Sequence, residues 1–307
     1  MTLDPQIAGL IDTLDSGFPP VHTMTGAEAR AAIRSRFVPN PNPEPVFQVA
    51  EHRVDVADGS VGVRVYRPES GSPLPILVYA HGGGFVFCDL DSHDGLCRNL
   101  ANSISAVVVS VGYRLAPEHR WPTAAEDVFA VTHWAAAHAA ELGGDATRLA
   151  VGGDSAGGNL AAVTAVMARD RGGPPIGAQL LLYPVIAADF DTDSYRRYGR
   201  GYYNPRPALQ WYWDQYVPAV EDRQHPYASP LQADLTGLPP AVVVLAGHDP
   251  LHDEGIAYAD ALAAAGTPTM RCSFEGGIHG FMTMPMLDLA QQARRDAARS
   301  LGELLGR

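Results

Sequence analysis

A serine hydroxyl becomes a useful nucleophile only when a base takes its proton, so a chain that uses one must also supply a histidine and an orienting carboxylate. Ser155 lies in GGDSAGG, residues 152–158, where Gly153 and Gly157 flank it in a GxSxG pattern. As a bare pattern this is weak in a glycine-rich chain. Its surroundings add weight, because the apolar run LAVGG precedes it and the helix-like NLAAVTAVMAR follows it. A strand that turns abruptly into a helix at a serine projects the hydroxyl over the carboxyl edge of a sheet. Flanking glycines remove the side chains that would clash in that turn.

Such a serine is followed along the chain by an acid and then a histidine. Asp249 directly follows the apolar run AVVVLAGH, and His279 lies in GGIHGF after the run at 270–274. Both positions leave strand ends on the edge that presents Ser155. His279 is therefore expected to accept the serine proton, with Asp249 fixing its tautomer and stabilising the imidazolium form. A third element, His81-Gly82-Gly83-Gly84-Phe85, follows the run ILVYA. Consecutive glycines let main-chain N–H groups approach a ligand. Gly83 and Gly84, together with the N–H of Ala156, are the expected donors to a tetrahedral oxyanion. The loop is not read as a phosphate cradle, because it has neither GxGxxG spacing nor a GKS or GKT ending.

The run HDPLHDE around Asp249 also holds His248, His252, Asp253 and Glu254. A hard divalent ion wants several oxygen ligands, and zinc usually takes three protein ligands. The run is accordingly read as a loop making ordinary hydrogen bonds, and no metal or cofactor is expected.

These residues need elements to hold them. The apolar runs at 76–80, 106–111, 149–153, 178–184, 241–247 and 270–274 read as buried strands. They alternate with helical patterns at about 92–103, 123–140, 156–170, 253–265 and 287–305. That alternation predicts a mainly parallel sheet covered on both faces, an α/β fold. Ahead of it, two alternating segments at 48–56 and 61–67 flank Asp58–Gly59, a hairpin signal. Residues 1–45 carry helical patterns around Ile7 to Leu14 and from Ala27 to Phe37, ended by the prolines of PNPNPEP. Between Pro184 and Ala241 lies a Tyr-, Trp-, Asp- and Pro-rich interval too long for an ordinary connection, as expected of a segment that covers a functional site.

Composition narrows the function classes. The 307-residue chain is 46% hydrophobic and 18% charged, ordinary for a folded protein, and its net charge of −12 would repel a polyanion. Nucleic acid is not an expected partner. The N-terminus lacks a basic start and a continuous apolar run, and no stretch approaches the roughly 18 apolar residues needed to cross a bilayer. Cys88, Cys97 and Cys272 are odd in number and scattered, and read as free thiols of a reducing, cytoplasmic compartment.

Taken together, HGGGF at 81–85, YRLAPEHRWPTAAEDV at 113–128, GDSAGG at 153–158, HDPLHDEG at 248–255 and HGF at 279–281 resemble the hormone-sensitive-lipase-like family of α/β-hydrolase carboxylesterases. The resemblance runs across nearly the whole chain. It implies an eight-stranded, mostly parallel sheet with a helical cap. On that basis residues 46–188 and 226–307 form the catalytic core, and 1–45 and 189–225 the cap. It also implies hydrolysis of short to medium acyl esters without a cofactor. The family's nucleophile, acid and base fall on Ser155, Asp249 and His279, and its oxyanion donors on Gly83, Gly84 and Ala156. Related proteins join through the C-terminal sheet edge, which makes a homodimer a further implication.

Supporting roles follow. Arg114 and Glu118, just beyond the strand at 106–111, are expected to pair and brace the site. His81 is expected to hold the glycine loop by a hydrogen bond, and Asp154 to point away from the acyl substrate. Phe85, Phe87 and Phe281 stand nearest the catalytic landmarks and are expected to line the pocket. Tyr195, Tyr198, Tyr202, Tyr203, Trp211 and Trp213 are read as cap core. The small-molecule substrate is expected to be an ester. An amide or arylacetamide substrate, or ligand binding without turnover on the same fold, are the alternatives.

Overall fold

The computed structural model describes residues 2–306. One eight-stranded sheet organises the chain, in the order β1-β2-β4-β3-β5-β6-β7-β8. Its members are β1 (Gln48–Val56), β2 (Gly59–Arg67), β3 (Leu74–Ala80), β4 (Val107–Gly112), β5 (Gly144–Asp154), β6 (Ala178–Leu182), β7 (Ala241–His248) and β8 (Thr269–Ile278). Pairings β1/β2 and β2/β4 are antiparallel, and every pairing from β4 through β8 is parallel. The hairpin turns at Asp58 and Gly59, both with positive φ.

Helices follow the same order: α1 (Pro5–Gly17), α2 (Gly26–Arg34), α3 (Asp94–Ile104), α4 (Thr123–Ala137), α5 (Ala139–Leu142), α6 (Ala156–Arg171), α7 (Asp193–Tyr198), α8 (Arg206–Tyr216), α9 (His252–Ala264) and α10 (Asp288–Leu304). The pattern expected as one helix over 123–140 divides at His138 into α4 and α5. The strand expected to reach residue 184 ends at Leu182, because Tyr183 turns into the left-handed region at φ 35°.

The parallel strands are buried on both faces, which is why they read as continuous apolar runs rather than alternating ones. Alternation sorts their side chains into two cores. Ile76, Val78, Val109, Val151, Leu181 and Val243 meet α4, α6 and α9 on one face. Leu77, Tyr79, Val108, Ala150, Leu180 and Val244 meet α3 and α10 on the other.

Two stretches pack beyond the ends of the parallel strands. Asp4 caps α1, and its N–H donates to the Gly276 carbonyl of β8 at 3.0 Å, which anchors the N-terminal stretch. Farther on, the Asp15 carboxylate accepts from the Tyr203 N–H at 3.1 Å, and Phe18 meets the Tyr203 ring edge-on at 5.3 Å. The N-terminal segment and the insertion carrying α7 and α8 thus touch. No helix among the described residues is long and apolar enough to cross a membrane.

Candidate active site

β5 ends at Asp154 and α6 starts at Ala156, which leaves Ser155 as the sole hinge at φ 55° and ψ −118°. For a residue with a Cβ that conformation costs about 1–3 kcal/mol, so its surroundings must hold it. The Ser155 N–H donates to Leu182 O at 2.9 Å, and Ser155 O accepts from Val185 N at 3.0 Å. Gly157 explains why the turn can be so tight: a Cβ there would stand 2.0 Å from Ala80 O.

His279 closes on this serine from the loop after β8. Its Nε2 lies 2.8 Å from Ser155 Oγ and its Nδ1 lies 2.7 Å from Asp249 Oδ2. The Leu251 N–H donates to the other Asp249 oxygen at 2.9 Å, so that carboxylate is held on both sides. With Nδ1 protonated toward the carboxylate, Nε2 presents its lone pair to the serine hydroxyl. All three side chains are buried.

The glycine loop is fixed one peptide plane at a time. Because a peptide unit is planar, holding its C=O also aims the N–H of the next residue. His81 Nδ1 donates to Gly82 O at 2.7 Å, which aims the Gly83 N–H. Gly83 O accepts from the Val86 and Phe87 N–H groups, each at 3.0 Å, which aims the Gly84 N–H. Gly83 adopts φ 114°, a region closed to most residues with a Cβ. Neither the Gly83 nor the Gly84 N–H donates to another group among the described residues. The Ala156 N–H, at the first position of α6, lies outside the intrahelical ladder. Three donors are thus available beside Ser155, the arrangement that stabilises an oxyanion.

His81 is itself held, stacked on Tyr113 at 4.3 Å, while the Tyr113 hydroxyl donates to His81 O at 2.8 Å. Burial, reinforced by the neighbouring His93, pushes the His81 pKa down to about 4. It is a neutral strut for the loop.

Ser155 and His279 open onto a cavity of about 120 Å³. Phe87, Cys88, Asp154 and His93 line it from the core side, and Phe18, Tyr203, Asn204 and Tyr212 from the overlying segments. Cys88 also borders a neighbouring cavity of about 440 Å³ beneath α2, with Arg30, Phe37 and Leu115 among its walls. Burial pushes the Cys88 thiol up to about 12, so it does not compete as a nucleophile.

Three expectations need correction. Phe85 does not line the cavity: its ring stacks on Tyr216 at 3.9 Å and is buried in the core beneath α8. Phe281 is equally buried, packed against Tyr183 and Phe274. Arg114 does not pair with Glu118. A fully buried carboxylate on α4, Asp127, needs a cation, and Arg114 meets it with its guanidinium at 2.7 Å and its main-chain N–H at 3.0 Å. Glu118 turns outward to pair with Arg30 of α2.

The side chains around Asp249 diverge. His248 Nδ1 meets Glu275 O, His252 Nδ1 meets Ala246 O, Asp253 accepts from Ser194 N, and Glu254 accepts from Ile186 N. Among the described residues no group of three or more His, Cys, Asp or Glu side chains is placed to hold a metal.

The chain is similar to known proteins over nearly its whole length. A family model described as alpha/beta hydrolase fold matches residues 77–283. The carboxylesterase NlhH of Mycobacterium tuberculosis is 41% identical over 294 residues, 93% of this chain and 90% of that protein. The chain belongs to the hormone-sensitive-lipase-like family of α/β hydrolases. An ethyl acetate hydrolase of Pseudomonas putida is 38% identical over 299 residues, 92% of this chain and 93% of that one. Among solved structures, a hyperthermophilic esterase from the archaeon Pyrobaculum calidifontis superposes with a TM-score of 0.92 at 38% identity, covering 99% of both chains. The structure brings together the glycine loop, the turn at Ser155 and the Asp249 and His279 loops that the sequence patterns single out. His93 and the lining residues Phe18, Cys88, Asn204, Tyr212 and Thr283 are not singled out, since no local pattern distinguishes them from ordinary loop or cap residues.

Proposed function

We propose that this carboxylic ester hydrolase works through an acyl-enzyme formed on Ser155. Support comes above all from the unbroken chain Ser155–His279–Asp249, at 2.8 and 2.7 Å, facing a cavity with three unengaged main-chain donors. In this reading His279 takes the Ser155 proton as Oγ attacks the ester carbonyl. The N–H groups of Gly83, Gly84 and Ala156 hold the oxyanion. His279 then gives its proton to the departing alcohol, and a water activated by the same nitrogen releases the acid.

The substrate class we infer is an ester with a short to medium acyl chain. The catalytic cavity is small, about 120 Å³, and the adjoining space beneath α2 adds about 440 Å³. Each methylene buried without strain contributes about 0.8 kcal/mol until the chain meets a wall. On p-nitrophenyl esters, kcat/KM should rise from acetate to a maximum between butyrate and octanoate and fall before palmitate. A monotonic rise to palmitate below its aggregation concentration would reject a bounded pocket.

The division into a core of 46–188 and 226–307 and a cap of 1–45 and 189–225 is part of the same reading, supported by Phe18, Tyr203 and Tyr212 reaching the cavity from the two cap stretches. β8 is the last strand of the sheet and has a strand neighbour on one side only among the described residues, which supports pairing with a second copy, and mass measurement across concentrations tests it. The three free cysteines support a reducing, cytoplasmic setting.

A further inference from the structure

The nucleophile turn and the oxyanion loop lie far apart in sequence, yet catalysis requires them to be held a fixed distance apart. Asp154 connects them. It immediately precedes Ser155, and its Oδ1 accepts from the Gly82 N–H at 3.0 Å, one residue before the first oxyanion donor. The Tyr79 hydroxyl, beneath the same loop, donates to that oxygen at 2.8 Å. His93, immediately before α3, approaches the carboxylate with Nε2 at 3.2 Å from Oδ1 and 3.3 Å from Oδ2. Asp154 and His93 are each about 95% buried, and both line the catalytic cavity.

A buried carboxylate is tolerated only when it is paired and its lone pairs are satisfied. Burial works against the charged form of Asp154, but His93 and the Tyr79 hydroxyl outweigh it and hold the pKa below the usual carboxylate range. His93 is oriented in turn. The Ser92 hydroxyl donates to Asp89 O at 2.8 Å, which leaves its oxygen to accept from His93 Nδ1 at 2.9 Å. Both ring nitrogens of His93 are therefore engaged by fixed oxygen atoms, which sets the orientation of the ring.

We propose that Asp154 and His93 are positioning residues of the reaction: a buried carboxylate–imidazole pair that ties the nucleophile turn to the oxyanion loop at Gly82 and so sets the distance from Ser155 at which the loop presents the Gly83 and Gly84 donors. The space has been shaped for this contact, because a Cβ at Gly82 would lie 2.4 Å from Asp154 Oδ2. The pair acts through the loop rather than on substrate, so its effect falls on the transition state, where oxyanion donors contribute most. The proposal rests on the assignment of Ser155 and the glycine-loop donors made above.

The test compares D154A, D154N, H93A and H93Q with the parent on p-nitrophenyl butyrate, together with the inhibition constant of an alkyl trifluoromethyl ketone. That probe adds reversibly to a serine Oγ and places an oxyanion in the same hole. D154A should lower kcat on the order of 100-fold with KM changed less than about threefold, and weaken the ketone by a similar factor. D154N keeps an oxygen to accept from Gly82 and should recover at least about tenfold of that loss. H93Q, which keeps a donor toward Asp154, should outperform H93A. If D154A fails to fold, D154N and the two His93 variants carry the same comparison. Ketone affinity that stays at the parent value while kcat falls, or losses confined to KM and melting temperature, would overturn the positioning role. The two readings fail separately: turnover by S155A, or a parent enzyme blind to the ketone, would remove the underlying assignment, whereas a ketone-sensitive parent with unimpaired D154A and H93A would remove this proposal alone.

Discussion

The carboxyl edge of the sheet and the segments packed over it solve different problems. At the edge, main-chain geometry dictates residue type: Ser155 at φ 55°, Gly157 against Ala80 O, and Gly83 at φ 114° leave almost no alternatives. Above it, Phe18, Tyr203 and Tyr212 contribute shape, and many apolar side chains can fill a given volume. The ion pairs differ in the same way. Arg114–Asp127, within the core, has a carboxylate with no exposure, whereas Arg30–Glu118, which ties α2 to the core, has a carboxylate half exposed at 51%. Rigid backbone demands mark the region proposed to do the chemistry, and interchangeable packing marks the region proposed to select substrate.

The sharpest way to break this contrast is to disturb one residue in each region. D249N preserves shape but gives His279 a partner that no longer selects the productive tautomer. It should cut kcat about 10⁴-fold while the circular dichroism spectrum stays that of the parent. If D253N did this instead, the acid assignment would be wrong. The stability counterpart is R114A, which strands the fully buried Asp127 carboxylate and should cost roughly 3–5 kcal/mol in denaturant unfolding. E118Q should cost under about 1 kcal/mol, because its pair is largely solvated. Equal costs for the two would remove the distinction between core and overlay.

Both levels of structure were readable to different depths in the sequence. The parallel sheet was legible because strands buried on both faces must be continuously apolar, and the site because glycines and short-range motifs encode main-chain geometry. The directions of Phe85 and Phe281 were not, since their rings pack against Tyr216 of α8 and against Tyr183 and Phe274, contacts that exist only after folding. Arg114 has three carboxylates within the next fourteen residues, Glu118, Glu126 and Asp127, and only burial of Asp127 on α4 decides among them. His93 carries no local signature at all, because its partner Asp154 is 61 residues away.

A smaller effect sharpens the picture of the edge as prearranged. His81 has its pKa depressed from 6.5 to about 4, so the unfolded chain binds the proton more readily than the folded one. Stability from this group is complete above about pH 6.5 and is lost as pH falls through about 4, by about 3 kcal/mol in total. Unfolding midpoints of H81N should therefore fall less steeply over that window than those of the parent. Parallel slopes would mean that His81 does not sense the burial described. The smallest expected effect belongs to the overlay: Y212A, which removes the ring lying against Gly84, should move the acyl-chain optimum toward longer esters and change kcat/KM on acetate less than about tenfold. An unchanged chain-length profile would show that this ring does not bound the pocket.

The central claim is that Ser155 is the residue that takes up the acyl group. A p-nitrophenyl alkylphosphonate mimics the tetrahedral intermediate and stays attached to an activated serine, so intact mass and peptide mapping report the modified residue directly. The parent should take up one equivalent, on the peptide that contains Ser155, with loss of activity in proportion. S155A should take up none while keeping the parent's circular dichroism spectrum. Stoichiometric labelling of S155A, or modification of the parent at any other residue, would contradict the account.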